Sequence, residues 1–212
     1  MMEIQVKGTI TVDEDKKIYD YYGIDCFCPK DMYTALTDAG GSDVDIYINS
    51  GGGDLFAATE IYSAVKSYKG SAKIHVVGLA ASAASLIMCA GKSDIAPSAL
   101  VMIHNVSSFA AGDHAAMAHE SEVLRKADRA VCQAYSEKTG KSETELLPLM
   151  DKETWLTAAE AVELGLCDEI AGRQTLTNAY CTLLTAQQRR EYENAKTKAA
   201  ARLRLEKIKF LR

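Results

Sequence analysis

Three apolar segments of this chain each lead directly into residues capable of chemistry. Val44–Ile48 runs into three consecutive glycines, and Lys73–Val77 runs into small residues that include Ser82. The third segment begins at Leu100 and ends at His104. Helical patterns separate the segments, and this alternation favours an α/β fold with a largely parallel sheet and right-handed crossovers. Because sites in such folds lie at the carboxyl ends of strands, we expect all three features on one edge of the sheet.

Local signals predict most of the helices. Proline in a first turn predicts a helix over Pro29–Ala39. The glycines are predicted to end the preceding strand as a turn, before a helix with Phe56 on its apolar face. A long helix is expected from about Asp113 to Lys138, ending at a glycine, and a capping box predicts a helix over Ala158–Leu164. Further helices are predicted at 82–90 and 143–150, and further strands at 4–6, 9–12 and 166–170.

Composition indicates a soluble globular protein. The 212 residues are 48% hydrophobic and 25% charged, enough for one domain with its own core. Residues 1–11 are too polar for a secretory signal, and the apolar run Val76–Ala90 is too short and interrupted to cross a membrane. We therefore expect a cytoplasmic protein. The six cysteines lack metal-ligand spacing, so buried free thiols are expected, with no metal and no cofactor.

Charge is concentrated at the C-terminus. Residues 186–212 carry nine basic and three acidic side chains, a net charge of +6, whereas the remaining 15 basic and 26 acidic residues give −11. A basic segment can bind nucleic acid or an acidic partner. Charged faces are also common on solvated amphipathic helices, which is the favoured interpretation, so nucleic-acid binding is not expected. The predicted division is a folded domain over 1–172 and a basic helical extension over 173–212.

Ser82 and His104 are the residues best suited to act as nucleophile and base. A hydroxyl needs a base within hydrogen-bond reach and donors for the developing oxyanion. Ser82 lies at a predicted helix start, where unpaired N–H groups favour negative charge, although serines there most often only cap the helix. Ser85, one turn later, is a rival that we expect to pack inside the helix. The other three histidines lie within a strand or on the long helix.

Backbone N–H groups of Gly52, Gly53 and Ala83 are the candidate oxyanion donors. The glycine run has neither a phosphate-loop lysine nor a GxGxxG pattern, so nucleotide binding is not favoured. A third residue should orient the histidine and stabilise its charged form. Asp151 is the preferred carboxylate for this role, and Glu153 is the alternative.

At these residues the chain resembles the Clp protease proteolytic subunit (ClpP) family, and within it a prophage-encoded branch related to capsid-maturation proteases. The resemblance implies a ClpP/crotonase-type fold with a long protruding helix. It also implies Ser82 as nucleophile, His104 as general base, and an oxyanion hole formed by the glycines and Ala83. Ring-forming subunits, commonly stacked heptamers that act on polypeptides, are implied as well. Four ordered blocks carry it: residues 48–54, 78–84, 102–105 and 155–168.

The chain departs from the family pattern at three places. Three glycines and Asp54 replace the usual Pro-Gly-Gly turn, and Asp151 is a shifted match to the family's aspartate relative to Trp155. The N-terminal segment does not match the loops that dock an unfoldase ATPase. We therefore predict an ATP-independent or partner-assisted serine endopeptidase, with an unfoldase or phage scaffold and capsid proteins as candidate partners.

Three other functions remain open from the sequence. A Ser–Lys peptidase resembling signal peptide peptidases needs a deprotonated lysine beside Ser82, for which Lys73 and Lys92 are the candidates. A crotonase-like acyl-CoA enzyme would use the same fold and oxyanion hole. An inactive ring subunit would hold the same residues out of alignment.

Overall fold

The computed structural model describes residues 2–172, in which helices and strands alternate along much of the chain. Residues 173–212, with the predicted basic helical extension, lie outside the described residues. The elements in chain order are β1 (Met2–Ile10), α1 (Lys16–Tyr22), β2 (Cys26–Phe27), α2 (Pro29–Ala39), β3 (Val44–Gly53), α3 (Leu55–Lys66), β4 (Ala72–Ala81), α4 (Ala83–Met88), β5 (Lys92–Ile95), β6 (Leu100–Ile103), α5 (His114–Thr139), α6 (Glu143–Asp151), β7 (Thr154–Thr157), α7 (Ala158–Leu164) and β8 (Glu169–Ile170).

The described strands form one largely parallel sheet. Its main path is β2-β1-β3-β4-β5-β8, with every neighbouring pair parallel. β6 pairs in parallel with the last residues of β4 and antiparallel with β7. The predicted α/β fold is therefore confirmed. The carboxyl ends of β3, β4 and β6 lie at the same edge, which brings together the three features singled out from the sequence.

Alternating burial fixes the register of the central strands. Val44, Ile46 and Ile48 of β3 are buried, and Ile74 and Val76 repeat the pattern on β4. Full burial of each such side chain contributes about 1.5–3 kcal/mol to folding. All six residues of α4 are buried as well. The turn that precedes α4 is thus anchored to the core on both sides.

Helices with strong local signals have the predicted bounds. α2 spans Pro29–Ala39 and α7 spans Ala158–Leu164, and each begins at a capping box. The long helix α5 ends at Gly140, whose φ is 72°. Only the second half of α5 enters the core, through Val131 and Tyr135, whereas Val123 is exposed. No helix within residues 2–172 is both long and apolar enough to cross a lipid bilayer.

Three local predictions are wrong. The glycines do not end a strand as a turn, because β3 continues to Gly53 and pairs with β1, Thr9 opposite Gly52. The helix predicted from Ser82 begins at Ala83. Phe56, predicted on an apolar face, is 79% exposed. The first two outcomes depend on neighbours distant in the chain, β1 for the glycines and His104 for Ser82.

An ion pair fastens the end of α5 to the sheet and makes stability pH-dependent. Lys138 Nζ lies 2.5 Å from Asp168 Oδ2, which also accepts the Ser93 N–H at 2.6 Å. Burial would raise the pKa of Asp168, but these two donors outweigh it and lower the pKa below its ordinary 3.8. A carboxylate whose pKa is lowered by folding stabilises the fold above its unfolded pKa, and this contribution disappears as pH falls through the folded value.

We therefore expect Asp168→Asn to lower the free energy of unfolding at pH 7 by about 1 kcal/mol, because the carboxylate is half exposed and screened. The deficit should shrink as pH falls below about 4 in urea titrations. Asp38→Asn, at an exposed carboxylate, is the control. A deficit that stays constant down to pH 2 would contradict the assignment.

Candidate active site

Ser82 lies between β4 and α4 in a conformation rare for any residue other than glycine. Its φ is 55° and its ψ is −126°. Such strain costs about 1–3 kcal/mol and is concentrated at functional sites. The side chain makes no capping hydrogen bond to α4, so the helix-capping interpretation of this serine is wrong. The hydroxyl is instead directed to a different partner.

That partner is His104, one residue beyond β6. Its Nε2 lies 2.7 Å from Ser82 Oγ. The strands bring the two residues together, because Ala81 pairs with Met102 and Ser82 N donates to Met102 O at 2.9 Å. With its ring proton on Nδ1, the imidazole accepts the hydroxyl hydrogen at Nε2, as a general base must.

Gly52 lies directly against the serine turn. A Cβ at this position would stand 2.8 Å from both Ala81 O and Ser82 Cβ, and φ is 96°, so the site requires glycine. The Gly52 N–H donates to Ser50 Oγ at 3.1 Å. This N–H, a candidate oxyanion donor from the sequence, is thus already engaged.

Gly53 and Ala83 present the remaining candidate donors. Gly53 follows Gly52 as the last residue of β3, and its N–H stays a candidate donor. Ala83 is the first residue of α4, and an N–H at that position has no acceptor within the helix.

Asp151, the preferred acid, ends α6 and hydrogen-bonds to Asn105 rather than to His104. Asp151 Oδ1 accepts from Asn105 Nδ2 at 2.8 Å, and within residues 2–172 no carboxylate bonds to His104 Nδ1. The alternative, Glu153, has a φ of 50° and accepts from Trp155 Nε1 at 3.2 Å. Asn105 Oδ1 is buried and has no partner among the described residues. The structure therefore brings serine and histidine together without completing a triad.

A cavity of about 360 Å³ opens beside the serine and histidine. Gly53, Ser82 and His104 are among the residues that line it. Its other walls come largely from α4 and α5 and are mostly apolar, with Leu86, Val123, Leu124, Ala127, Val131 and Tyr135 among them. The cavity can accept an apolar side chain next to the hydroxyl.

Ser85 packs inside its helix, as expected, but it also contacts the serine turn. Its side chain is fully buried; Oγ donates to Ser82 O at 2.6 Å and lies 2.7 Å from the Tyr135 hydroxyl. Helical periodicity indicates only that Tyr135 belongs to the apolar face of the long helix. The available signal was its phenol, because a buried tyrosine usually finds a hydrogen-bond partner.

Other nucleophiles and bases are poorly placed. The described cysteines are free, and burial raises the pKa of Cys28 to about 12 and that of Cys167 to about 11, so these thiols stay protonated at neutral pH. Lys73 lies at the other end of β4 from Ser82, about 30 Å away along the strand. It pairs with Asp94 at 3.0 Å. Lys92 lies opposite Lys73 in the ladder, so the structure contradicts the Ser–Lys alternative.

Comparison with known protein families shows to which family this chain belongs. The model of the Clp protease family matches residues 29–174, well over half of the chain. The chain belongs to the Clp protease family. The matched region contains the serine, the histidine, the glycine run and both candidate acids, so the expected family resemblance is confirmed.

Individual members of the Clp protease family resemble the chain over part of its length. It is 34% identical over 129 residues to the "ATP-dependent Clp protease proteolytic subunit" of Chlorella vulgaris, which covers 59% of this chain and 64% of that protein. The protein of the same name from Bacteroides fragilis is 31% identical over 133 residues, with 61% and 64% covered. The chain therefore spans slightly less than two thirds of the length of these relatives.

A solved structure of the Clp protease family shares the fold. A ClpP1 mutant from Listeria monocytogenes superposes with a TM-score of 0.67 at 21% identity, covering 82% of this chain and 92% of that one. The predicted ClpP-type fold is confirmed. Membership of a prophage-encoded branch stays a prediction.

Proposed function

We propose that this chain is a ClpP-type serine endopeptidase in which Ser82 is the nucleophile and His104 the general base. The observation that carries the proposal is the 2.7 Å contact between His104 Nε2 and Ser82 Oγ, made by a serine in a strained backbone conformation. The adjoining cavity supports it, because it offers room for a substrate side chain beside the hydroxyl. Membership of the Clp protease family supports it independently.

The proposed reaction proceeds through an acyl-enzyme. Ser82 Oγ attacks the scissile carbonyl while His104 Nε2 takes its proton, and the oxyanion accepts hydrogen bonds from the N–H groups of Gly53 and Ala83. The imidazolium then gives its proton to the leaving amine. Water, activated by the neutral imidazole, attacks the ester, releases the carboxylic acid and restores the Ser82 hydroxyl.

Asp151 is the proposed third member. It accepts from Asn105, the residue that follows His104, and we propose that it exchanges this partner for His104 Nδ1 during the reaction. In the role assigned here it would hold the proton on Nδ1 and stabilise the imidazolium. Glu153 fits less well because its carboxylate accepts from Trp155 instead.

The proposed substrates are polypeptides, bound with an apolar side chain in the cavity. We also propose that the chain works as a homo-oligomeric ring, since ring formation is implied by the family. Processing of phage scaffold and capsid proteins, and assistance from an unfoldase, are finer proposals that rest on the sequence resemblance alone.

His104→Gln tests the proposal, because the amide keeps polarity at this position but cannot take the proton. We expect hydrolysis of a fluorogenic peptide with leucine before the scissile bond to fall about 10³-fold or more. His119→Gln, at an exposed position on α5, is the matched control and should keep wild-type activity. Equal activity in the two variants would contradict the proposal. A wild type that hydrolyses no peptide would favour an inactive subunit or, if it binds an acyl-CoA thioester, a crotonase-like enzyme.

A further inference from the structure

A buried hydrogen-bond chain connects the long helix α5 to the serine turn. Ser85 Oγ lies 2.6 Å from the Ser82 carbonyl oxygen and 2.7 Å from the Tyr135 hydroxyl. A carbonyl oxygen can only accept, so the Ser85 hydroxyl hydrogen is committed to it. The Tyr135 phenol must then donate to Ser85 Oγ. The direction is therefore fixed, from Tyr135 through Ser85 to the carbonyl of Ser82.

The hydrogen-bond chain ends at the peptide group that carries a candidate oxyanion donor, the Ala83 N–H. The carbonyl of Ser82 and the N–H of Ala83 belong to one planar peptide unit, so the direction of the carbonyl sets the direction of the N–H. The carbonyl also accepts the Ser85 N–H at 2.9 Å. Two donors thus orient a peptide plane that the unusual φ and ψ of Ser82 would otherwise disfavour.

Burial makes the hydrogen-bond chain a durable support. Ser85 is 0% exposed and Tyr135 1% exposed, so water does not compete for these hydrogen bonds. Burial also raises the pKa of Tyr135, which keeps the phenol protonated as a donor. Hydrogen bonding to the carbonyl polarises the peptide, and this strengthens the Ala83 N–H as a donor at the other end.

We propose that Tyr135 is a positioning residue of this active site: acting through Ser85, it aims the Ser82–Ala83 peptide so that the Ala83 N–H donates to the oxyanion. The inference rests on the proposed peptidase function and adds a residue from the long helix α5 to it. Tyr135 is thereby a link between the placement of α5 and the stabilisation of the transition state.

Tyr135→Phe tests the proposal because it removes only the phenolic oxygen. We expect kcat for the fluorogenic peptide to fall about 10- to 100-fold with KM within about twofold, since the missing support acts on the transition state. Affinity for a peptide aldehyde, which forms a tetrahedral adduct with the serine, should weaken by a similar factor. Tyr68→Phe is the matched control, because its hydroxyl donates to Ser42 O away from the site at 2.8 Å; it should change none of these values.

Ser85→Ala and the double variant distinguish a positioning role of Tyr135 from a general disturbance of the fold. Ser85→Ala interrupts the same hydrogen-bond chain and should reduce kcat by the same factor. The double variant Ser85→Ala/Tyr135→Phe should lose no more kcat than the more affected single variant. If the losses of kcat in the two single variants added up in the double variant, the inference about Tyr135 would be wrong while the proposed function stood. The same would follow from a folded Tyr135→Phe variant with wild-type kcat and aldehyde affinity. A wild type that neither hydrolyses peptides nor binds the aldehyde would overturn the proposed function, and this inference with it.

Discussion

Ser82→Ala and Ser82→Gly are both expected to lose peptide hydrolysis by on the order of 10⁴- to 10⁶-fold, as when the nucleophile of a serine protease is removed. Their stabilities should differ. Both variants lose the hydrogen bond to His104, but alanine keeps the strain of φ 55° whereas glycine does not. We therefore expect Ser82→Gly to be more stable than Ser82→Ala by about 1 kcal/mol in urea unfolding.

Ser98→Ala, at an exposed serine in a turn, is the control for these variants and should match the wild type in activity and stability. Substantial hydrolysis by either Ser82 variant would contradict the assignment of the nucleophile. Equal stability of the two would contradict the backbone strain while leaving the chemistry intact.

Gly52→Ala is expected to damage both the fold and the activity. The new methyl would stand 2.8 Å from Ser82 Cβ and from Ala81 O, at a φ of 96°. Overpacking and the backbone penalty together should lower the free energy of unfolding by about 2–5 kcal/mol. Displacement of the serine should reduce kcat/KM about 10²-fold or more, because a shift of about 1 Å at a reacting group costs this much.

Gly51→Ala is a close control for this substitution. A Cβ at Gly51 meets no atom within 4 Å, and its φ is not positive. We expect Gly51→Ala to have the same melting temperature and the same rate of peptide hydrolysis as the wild type. If Gly51→Ala and Gly52→Ala behaved alike, the close packing of the glycine run against the serine turn would be wrong.

The sequence predicted well those parts of the fold that local chemistry determines. A capping box and a terminal glycine bound α7, and a proline in the first turn opens α2, so these helices needed no tertiary information. α1 was missed because none of its residues is buried, which leaves no apolar stripe to detect. β5 was missed because it has four residues and begins with Lys92 and Ser93, so alternation has no room to appear.

The sequence identified residues of the site, but it did not predict the hydrogen bonds that connect them. Ser82 and His104 could be chosen because each follows an apolar strand, and the pairing of those strands explains their contact. Ser85 and Tyr135 are 50 residues apart, and nothing local indicates that their hydroxyls meet. The hydrogen bond that Asp151 accepts from Asn105 likewise depends on how α6 packs. The role of Asp151 in the reaction therefore stays a prediction.

Reaction with a fluorophosphonate shows whether Ser82 is an activated nucleophile without any knowledge of the natural substrate. The full-length wild type and Ser82→Ala would be treated in parallel, and the adduct located by mass spectrometry of peptides from the digested chain. We expect one adduct, on Ser82 and not on Ser85, which disappears in the variant. A folded wild type that forms no adduct, or one that carries it on another residue, would contradict the role of Ser82 as nucleophile.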